Sequence, residues 1–409
     1  MTKPSNASAK PRALLLAVEA PYPVLGGGAI RCASLLEFLA QHYSVHLVVF
    51  VQPGDPDPAS AIPAERVKKL DVVQLPYHSK RPAPRLWRNA WRALRNRPPL
   101  IDRFSGFAAE VAAAVAGQQY EVAVLEHFWT APYIEQVRPH TRRVFLDLHN
   151  VESAWHYSLA RSESPLQAAM LRRFGKACAS LERKWLKKFD GLLVTSCADA
   201  RLVLDVEPQA VVKVYPNALP HIDLPPHGDK HELVFSGNLE YPPNIGAVRF
   251  FLHRIWPTLR ARWPELRWKI AGRSPQAIRR LVAGDPRIIV TGPVEEAVPV
   301  LAESQVAVVP LLAGSGTRFK ILEAWAAGVP VVSTTLGAEG LACRDQEHLL
   351  IADDPAGFAA AVSRLLASAE DRARLGAAGR RLYEERYCWP AAWKSLAEVL
   401  EMSAGRSNS

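Results

Sequence analysis

The sequence predicts an α/β protein of two doubly wound, Rossmann-like domains, and three observations predict it. Short apolar runs with the composition of buried strands alternate with helical patterns of about 8 to 15 residues, the order that produces parallel sheets. A stretch carrying Pro220, Pro225, Pro226 and Gly228 breaks that alternation once, as a stiff connection does. The length of 409 residues suffices for two domains. The expected division is a disordered tail over 1–12, a first domain over 13–217, a linker over 218–230, a second domain over 231–385 and a final helix over 386–403.

Composition narrows the class. Hydrophobic residues make up 49% of the chain, yet no apolar run approaches the roughly 18 residues needed to cross a bilayer, so a soluble protein is expected. The opening MTKPSNASAKPR and ALLLAVEAPYP has the outline of a signal peptide, but Glu19 and Pro21 cut its apolar core short and no small-residue cleavage site follows. A tail entering a first strand is expected instead. The 5 cysteines form no CxxC pair, which argues against a disulfide framework and a zinc site and fits a reducing cytoplasm. The net charge of +10 and a pI near 9.4 ask for an anionic partner. On charge alone, nucleotide diphosphates, acidic lipid and nucleic acid all qualify.

In the first half, a strand over 13–18 leads into PYPVLGGGAIR, a helix to about residue 41 and a strand over 45–51. Gly26, Gly27 and Gly28 let backbone approach a ligand closely. The dinucleotide pattern is incomplete, because Arg31 stands where its third glycine belongs. Asp55 and Asp57 form an Asp-x-Asp such as holds a metal, but PGDPDP reads as turn chemistry. Over 80–97 the chain carries seven cations and no acid, with Trp87, Trp91 and Leu94 at helical spacing. That pattern fits a helix lying on anionic lipid headgroups, or a solvated helix with its tryptophans on the core. Nucleic acid is set aside, since no recognition motif accompanies the charge. Strands over 121–125 and 143–146 end in Glu126-His127 and Asp147-Leu148-His149-Asn150. Both lie past C-terminal strand ends, where open α/β sheets bind ligands; a polar cap is the plainer reading for Glu126 and His127. A helix over 166–189 and a strand over 191–195 complete this half.

The second half repeats the alternation, with strands over 232–235, 267–271, 288–291, 306–310 and 331–334. Gly237 and Arg273 lie just past two of these strand ends, and Gly292 and Val294 past a third. The most informative stretch runs from 306 to 334, VAVVPLLAGSGTRFKILEAWAAGVPVVST: strand, glycine-broken loop, helix over 318–327, turn and strand. With Thr317 as N-cap, Arg318 and Lys320 fall in the first helical turn, where the helix dipole is already positive. A bound anion removes that conflict, because a helix N-terminus after a Gly-rich loop presents free N–H groups to phosphate. Glu323, one turn on, is then placed to accept from sugar or ribose hydroxyls. A solvated Lys320–Glu323 pair is the bland alternative.

The run GSGTRFKILEAWAAGVPVVST followed by LGAEGL resembles the donor-site signature of the retaining glycosyltransferases called group 1 or family 4. The resemblance implies the GT-B fold, two Rossmann-like domains facing across a cleft with the C-terminal helix crossing back to the first. It implies transfer of a sugar from a UDP-, GDP- or ADP-linked donor to an acceptor hydroxyl with retention; no metal site or other cofactor is evident in the sequence, so protein cations are expected to carry the charge. The acceptor expected is a sugar or lipid-linked saccharide in polysaccharide or glycolipid synthesis, with the enzyme cytoplasmic or peripheral on the membrane. By the same resemblance Glu323 binds the ribose, Gly27 and Gly28 face the diphosphate, His149 contacts the donor sugar and the loop Gly292 to Val294 holds the base. Gly237, Arg273, Gly316 and Thr317 complete the donor site. The first Glu of the family's pair is replaced by Ser315, and Asn238 and Asn244 stand where the family has an Arg and a Lys clamping the diphosphate. Arg318 and Lys320 are therefore expected to carry that charge. A nucleotide-sugar epimerase of the same fold, or a non-enzymatic basic membrane- or nucleic-acid-binding protein, are the rival readings.

Overall fold

The computed structural model describes residues 10–24, 26–77, 82–161, 164–294, 296–313 and 318–401. It divides into two compact units, one of Met1–Tyr215 with Trp393–Ser409 and the other of Pro216–Ala392.

The first unit is built on a parallel sheet of β1 (Arg12–Ala17), β2 (Ser44–Val51), β3 (Lys69–Gln74), β4 (Tyr120–Glu126), β5 (Thr141–Leu148), β6 (Gly191–Val194) and β7 (Val212–Val214), in the order β3-β2-β1-β4-β5-β6-β7. Its inner strands are buried on both faces, so β1 and β2 read as nearly continuous apolar runs: Ala13 to Ala17 and Val45 to Val51 are all buried. Helices α1 (Gly27–His42), α2 (Pro82–Leu94), α3 (Glu152–Leu159) and α4 (Pro165–Trp185) belong to this unit.

The second unit carries β8 (Lys230–Ser236), β9 (Arg267–Ala271), β10 (Ile288–Gly292), β11 (Ser304–Val309), β12 (Val331–Ser333) and β13 (Leu350–Ile351), in the order β10-β9-β8-β11-β12-β13 and again parallel. Helices α5 (Pro242–Phe250), α6 (Phe319–Ala326), α7 (Pro355–Ala367) and α8 (Ala369–Leu382) pack in this unit, and α9 (Trp389–Glu401) starts in it and ends in the first. Trp393 of α9 donates to the Ser34 carbonyl at 3.1 Å, and Arg143 donates to the carbonyl of Leu400 at 2.7 Å.

In each sheet the chain reverses direction of growth once, between β1 and β4 and between β8 and β11. Ligands in open α/β sheets bind past the strand ends at such points. The two strand-end clusters described next lie there.

Several boundaries differ from expectation. The expected tail ends too late, because Arg12 is already in β1, paired with Ser44 and bonded through its side chain to Gln118 at 2.9 Å. Lys230 of the expected linker belongs to β8. Other residues of that stretch are pinned rather than free-running: Leu219 bridges Cys388, and Tyr383 donates to the Pro220 carbonyl at 2.6 Å. Gly27 and Gly28 lie inside the first turn of α1 rather than in the loop before it, with Gly26 as N-cap at φ 113. Only Gly takes that backbone conformation without strain. Thr317 lies outside the described residues; α6 has Arg318 as its N-cap, so only Lys320 of the two cations sits in the first turn.

Candidate functional site

At the β1/β4 switch point, β4 delivers Glu126 and β5 delivers Asp147, with His149 two residues on. The His149 Nε2 lies 3.2 Å from Glu126 Oε1 and 3.4 Å from Asp147 Oδ2, and both carboxylates are fully buried. Arg31 holds Asp147 from α1, its Nε 2.8 Å from Oδ2 and its Nη2 2.5 Å from Oδ1, while Nη1 donates to the Tyr215 carbonyl at 2.8 Å. The residue that breaks the glycine pattern in the sequence is thus the buried partner of the acid two positions before His149.

Burial works against charge on His149, but the carboxylates of Asp147 and Glu126 outweigh it and push the imidazole up to about 9. It is a cation at neutral pH. Its ring stacks on His127 at 3.6 Å between centroids, and His127 stacks on Trp129 at 4.1 Å. Burial and then the neighbouring charge of His149 drive His127 well below the usual range, so it is neutral.

Glu19 completes this end of the sheet. A Cβ on Gly28 would stand 1.7 Å from its Oε1, so its carboxylate lies against the start of α1. Although Glu19 is exposed over part of its surface, desolvation of that carboxylate and then the charge of Glu126 raise it to about 7. The first turn of α1 has no acid of its own and no side-chain cap. Gly27 and Gly28 therefore offer N–H groups with a half-neutral carboxyl beside them.

At the β8/β11 switch point the chemistry has the opposite sign. Lys320, in the first turn of α6, donates from Nζ to Asn244 Oδ1 at 2.7 Å and lies 4.9 Å from the centre of the Phe235 ring. It also lies 3.4 Å from where a Cβ on Gly237 would be. Burial lowers its amine to about 8. Asn244 in turn donates to the Asn238 carbonyl at 2.8 Å. The two asparagines thus form an anchored acceptor that aims the lysine past the end of β8. Glu323, one turn further along α6, accepts from Ser236 Oγ at 3.1 Å, and burial raises its carboxyl above the ordinary value.

Three strand-end glycines let backbone close in beside this lysine. Gly237 N donates to the Ala271 carbonyl at 3.0 Å and Gly272 N to the Gly292 carbonyl at 3.0 Å. A Cβ on Gly272 would stand 1.7 Å from the Gly237 oxygen, so no other residue fits between β8 and β9 there. The sequence reading passed over Gly272; a glycine at the end of a strand beside another strand-end glycine was the available signal. Arg273 is exposed, and its carbonyl accepts from Leu239 N at 3.0 Å.

Arg318 is buried, with Nη2 donating to the Leu336 carbonyl at 3.3 Å and 3.8 Å from Glu339 Oε2. Its guanidinium ties the helix start to the loop after β12. Gly316 and Thr317 lie outside the described residues. Val294 is half-buried just beyond β10. Asp55 and Asp57 accept from the backbone of Gln52 and Ala59, at 2.9 and 3.0 Å, as turn residues do.

Among the described residues, Glu126, Asp147 and His149 have ligand atoms within 4.8 Å of one another. Both Asp147 oxygens are already bonded to Arg31, so this group is built as an ion-paired cluster first.

Residues 230–368 match the family described as Glycosyl transferases group 1. An uncharacterized 44.6 kDa protein of the cps region of Klebsiella pneumoniae is 24% identical over 361 residues, 85% of this chain and 88% of that protein. The phosphatidyl-myo-inositol mannosyltransferase of Mycolicibacterium smegmatis is 32% identical over 180 residues, 42% of this chain and 45% of its own. Anabaena HepE in complex with UDP and glucose superposes with a TM-score of 0.64 at 14% identity, covering 96% of this chain and 99% of that one. The two parallel sheets are those of the GT-B fold. No described helix is long and apolar enough to cross a membrane.

Proposed function

We propose that this chain, a glycosyltransferase of group 1 type, moves a sugar from a nucleoside diphosphate to an acceptor hydroxyl with retention at the anomeric carbon. The observation that carries the reading is Lys320, an amine aimed by Asn244 past the end of β8 with Glu323 one turn behind it.

A departing diphosphate develops charge that must be neutralised where it forms. Lys320 supplies a point charge there, the first N–H groups of α6 add donors, and Arg318 holds the helix start against the loop after β12. Glu323 accepts from ribose hydroxyls, and Gly237, Gly272 and Gly292 let the nucleotide lie against backbone. Arg273 and Val294 flank it. In the first unit, Gly27 and Gly28 offer N–H groups to an anion. His149, charged between Glu126 and Asp147, is the first unit's residue for contact with a sugar, its imidazolium fixing hydroxyl orientation.

The cps-region relative and the mannosyltransferase acting on phosphatidyl-myo-inositol support an acceptor in polysaccharide or glycolipid synthesis. Helix α2 supports a membrane-bound acceptor: Trp87, Trp91 and Leu94 are 76%, 50% and 73% exposed. Arg95 lies over the Trp91 ring at 4.2 Å. That is an apolar stripe with cations beside it, the composition of an interfacial helix. The side chains of residues 78–86 lie outside the described set.

Two measurements test this. A thermal-shift panel of UDP-, GDP- and ADP-sugars identifies the donor base, since a ligand at 100 times its dissociation constant adds about 2.7 kcal/mol. Release of free nucleoside diphosphate only when acceptor is present supports transfer; release or epimer formation without acceptor counts against it.

A further inference from the structure

Apart from both strand-end clusters, a set of metal-ligating side chains lies inside the α3/α4 helix pair of the first unit. Glu152 and His156 are four residues apart on α3, and Cys178 and Glu182 are four apart on α4, so each pair occupies one helix face. All four are buried, at 2%, 4%, 0% and 2% exposure in that order. Ligand atoms of Glu152, His156 and Cys178 lie within 4.8 Å of one another. The His156 Nδ1 is buried with no hydrogen-bond partner among the described residues.

Charge makes the arrangement unusual. Glu152 and Glu182 are buried close to each other, and neither forms an ion pair with a cation among the described residues. Buried carboxylates are normally paired or coordinate metal. The carboxylates are already oriented: Trp129 Nε1 donates to Glu152 Oε1 at 2.8 Å, and Ser153 donates from N to one Glu182 oxygen at 2.9 Å and from Oγ to the other at 2.6 Å. Such outer bonds are how proteins hold ligating carboxylates in place.

We propose that Glu152, His156 and Cys178 form a divalent transition-metal site fitted to Zn²⁺. Carboxylate, imidazole and thiolate together are a borderline-soft set, which suits zinc rather than magnesium or calcium. A tetrahedral ion at bond lengths of about 2.0 to 2.3 Å needs ligand atoms about 3.5 Å apart, a small inward closure of the observed group. A water fills the fourth position, since both Glu182 oxygens accept from Ser153. Binding releases the Cys178 thiol proton, and any proton on Glu152, to solvent and gives the Glu152 carboxylate a cation. The ion also fixes Trp129 through Glu152, and Trp129 packs on His127 and through it on His149. The site is therefore structural, placed behind the catalytic histidine.

The test uses full-length protein stripped with a chelator and titrated with Co²⁺, then Zn²⁺. One equivalent of Co²⁺ should give a thiolate-to-cobalt absorption band, and Zn²⁺ should displace it and raise Tm. Cys178→Ser should abolish the band, and His156→Gln, which keeps shape and polarity, should weaken Co²⁺ binding by more than about tenfold. Cys197→Ser, at an exposed thiol, should change neither. Absence of the band in wild-type protein, or a band that survives Cys178→Ser, overturns the assignment. Neither readout depends on turnover, so the transferase reading stands or falls separately.

Discussion

The two sheet ends invite comparison, since each presents a glycine-rich switch point, a helix start and a cation whose charge its surroundings tune. In the first unit the cation is made by its surroundings: Glu126 and Asp147 lift His149 to about 9. In the second it is weakened by its surroundings: burial brings Lys320 down to about 8, and the charge of Glu323 only partly offsets it. A histidine built to keep its proton suits steady contact with a neutral sugar and its oxygens. A lysine whose charge is incompletely paired suits an anion that arrives and leaves, because the phosphate then completes the pairing. On the proposed reading, the same fold element serves two jobs through the sign of the residues around it.

The largest expected effect breaks the second half of that comparison. Lys320→Met should lower turnover on the order of 10² to 10³-fold, the loss of one preorganised charged donor at a developing anion. Wild-type-like turnover would return Lys320 and Glu323 to a structural pair. Next, Glu126→Gln removes one of the acids that hold His149 charged. The His149 titration, followed by NMR, should move down from about 9, and the alkaline limb of the activity profile should move with it. An unmoved titration would mean that Asp147 alone sets the charge.

Proton linkage sharpens the contrast. His149 has a folded pKa above its ordinary value, so its contribution to stability is full below about 6.5 and is lost as pH rises through about 9. Lys320 behaves oppositely, its folded pKa being depressed, so binding a diphosphate should draw a proton onto it near pH 8. Calorimetry of nucleoside diphosphate binding in buffers of different ionisation enthalpy should show proton uptake there and none in Lys320→Met. The smallest effect is at Gly28→Ala. The new Cβ meets only the end of the Glu19 side chain, which can swing away, and Ala favours the helix by about 1 kcal/mol over Gly. Stability should be unchanged or slightly raised, and Glu19→Gln should be equally mild.

Much of this was legible in sequence because it is local. Apolar runs mark the strands, proline clustering marks the break, and Gly237, Gly292, His149 and Lys320 reveal themselves by standing just after strands or a glycine loop. What stayed hidden is pairing across long separations. Arg31 reads only as a failed glycine pattern until it meets Asp147, 116 positions away. Asn244 reads only as a lost cation until it meets Lys320, 76 positions away. Glu126 was passed over as a polar cap because a strand-end carboxylate looks alike whether or not a histidine from the next strand faces it. The start of α6 was placed one residue early because Thr is a better N-cap than Arg in general. Here Arg318 takes the cap position with its side chain turned to Leu336 and Glu339.

The central claim, that the histidine serves the sugar and the lysine serves the diphosphate, is tested most directly by one paired measurement. Turnover and the dissociation constant for nucleoside diphosphate are determined for His149→Ala and Lys320→Met side by side. His149→Ala should lose turnover far more than it loses nucleotide affinity, while Lys320→Met should lose both. Equal losses of turnover and affinity in His149→Ala, or nucleotide affinity left intact in Lys320→Met, would contradict the division of labour.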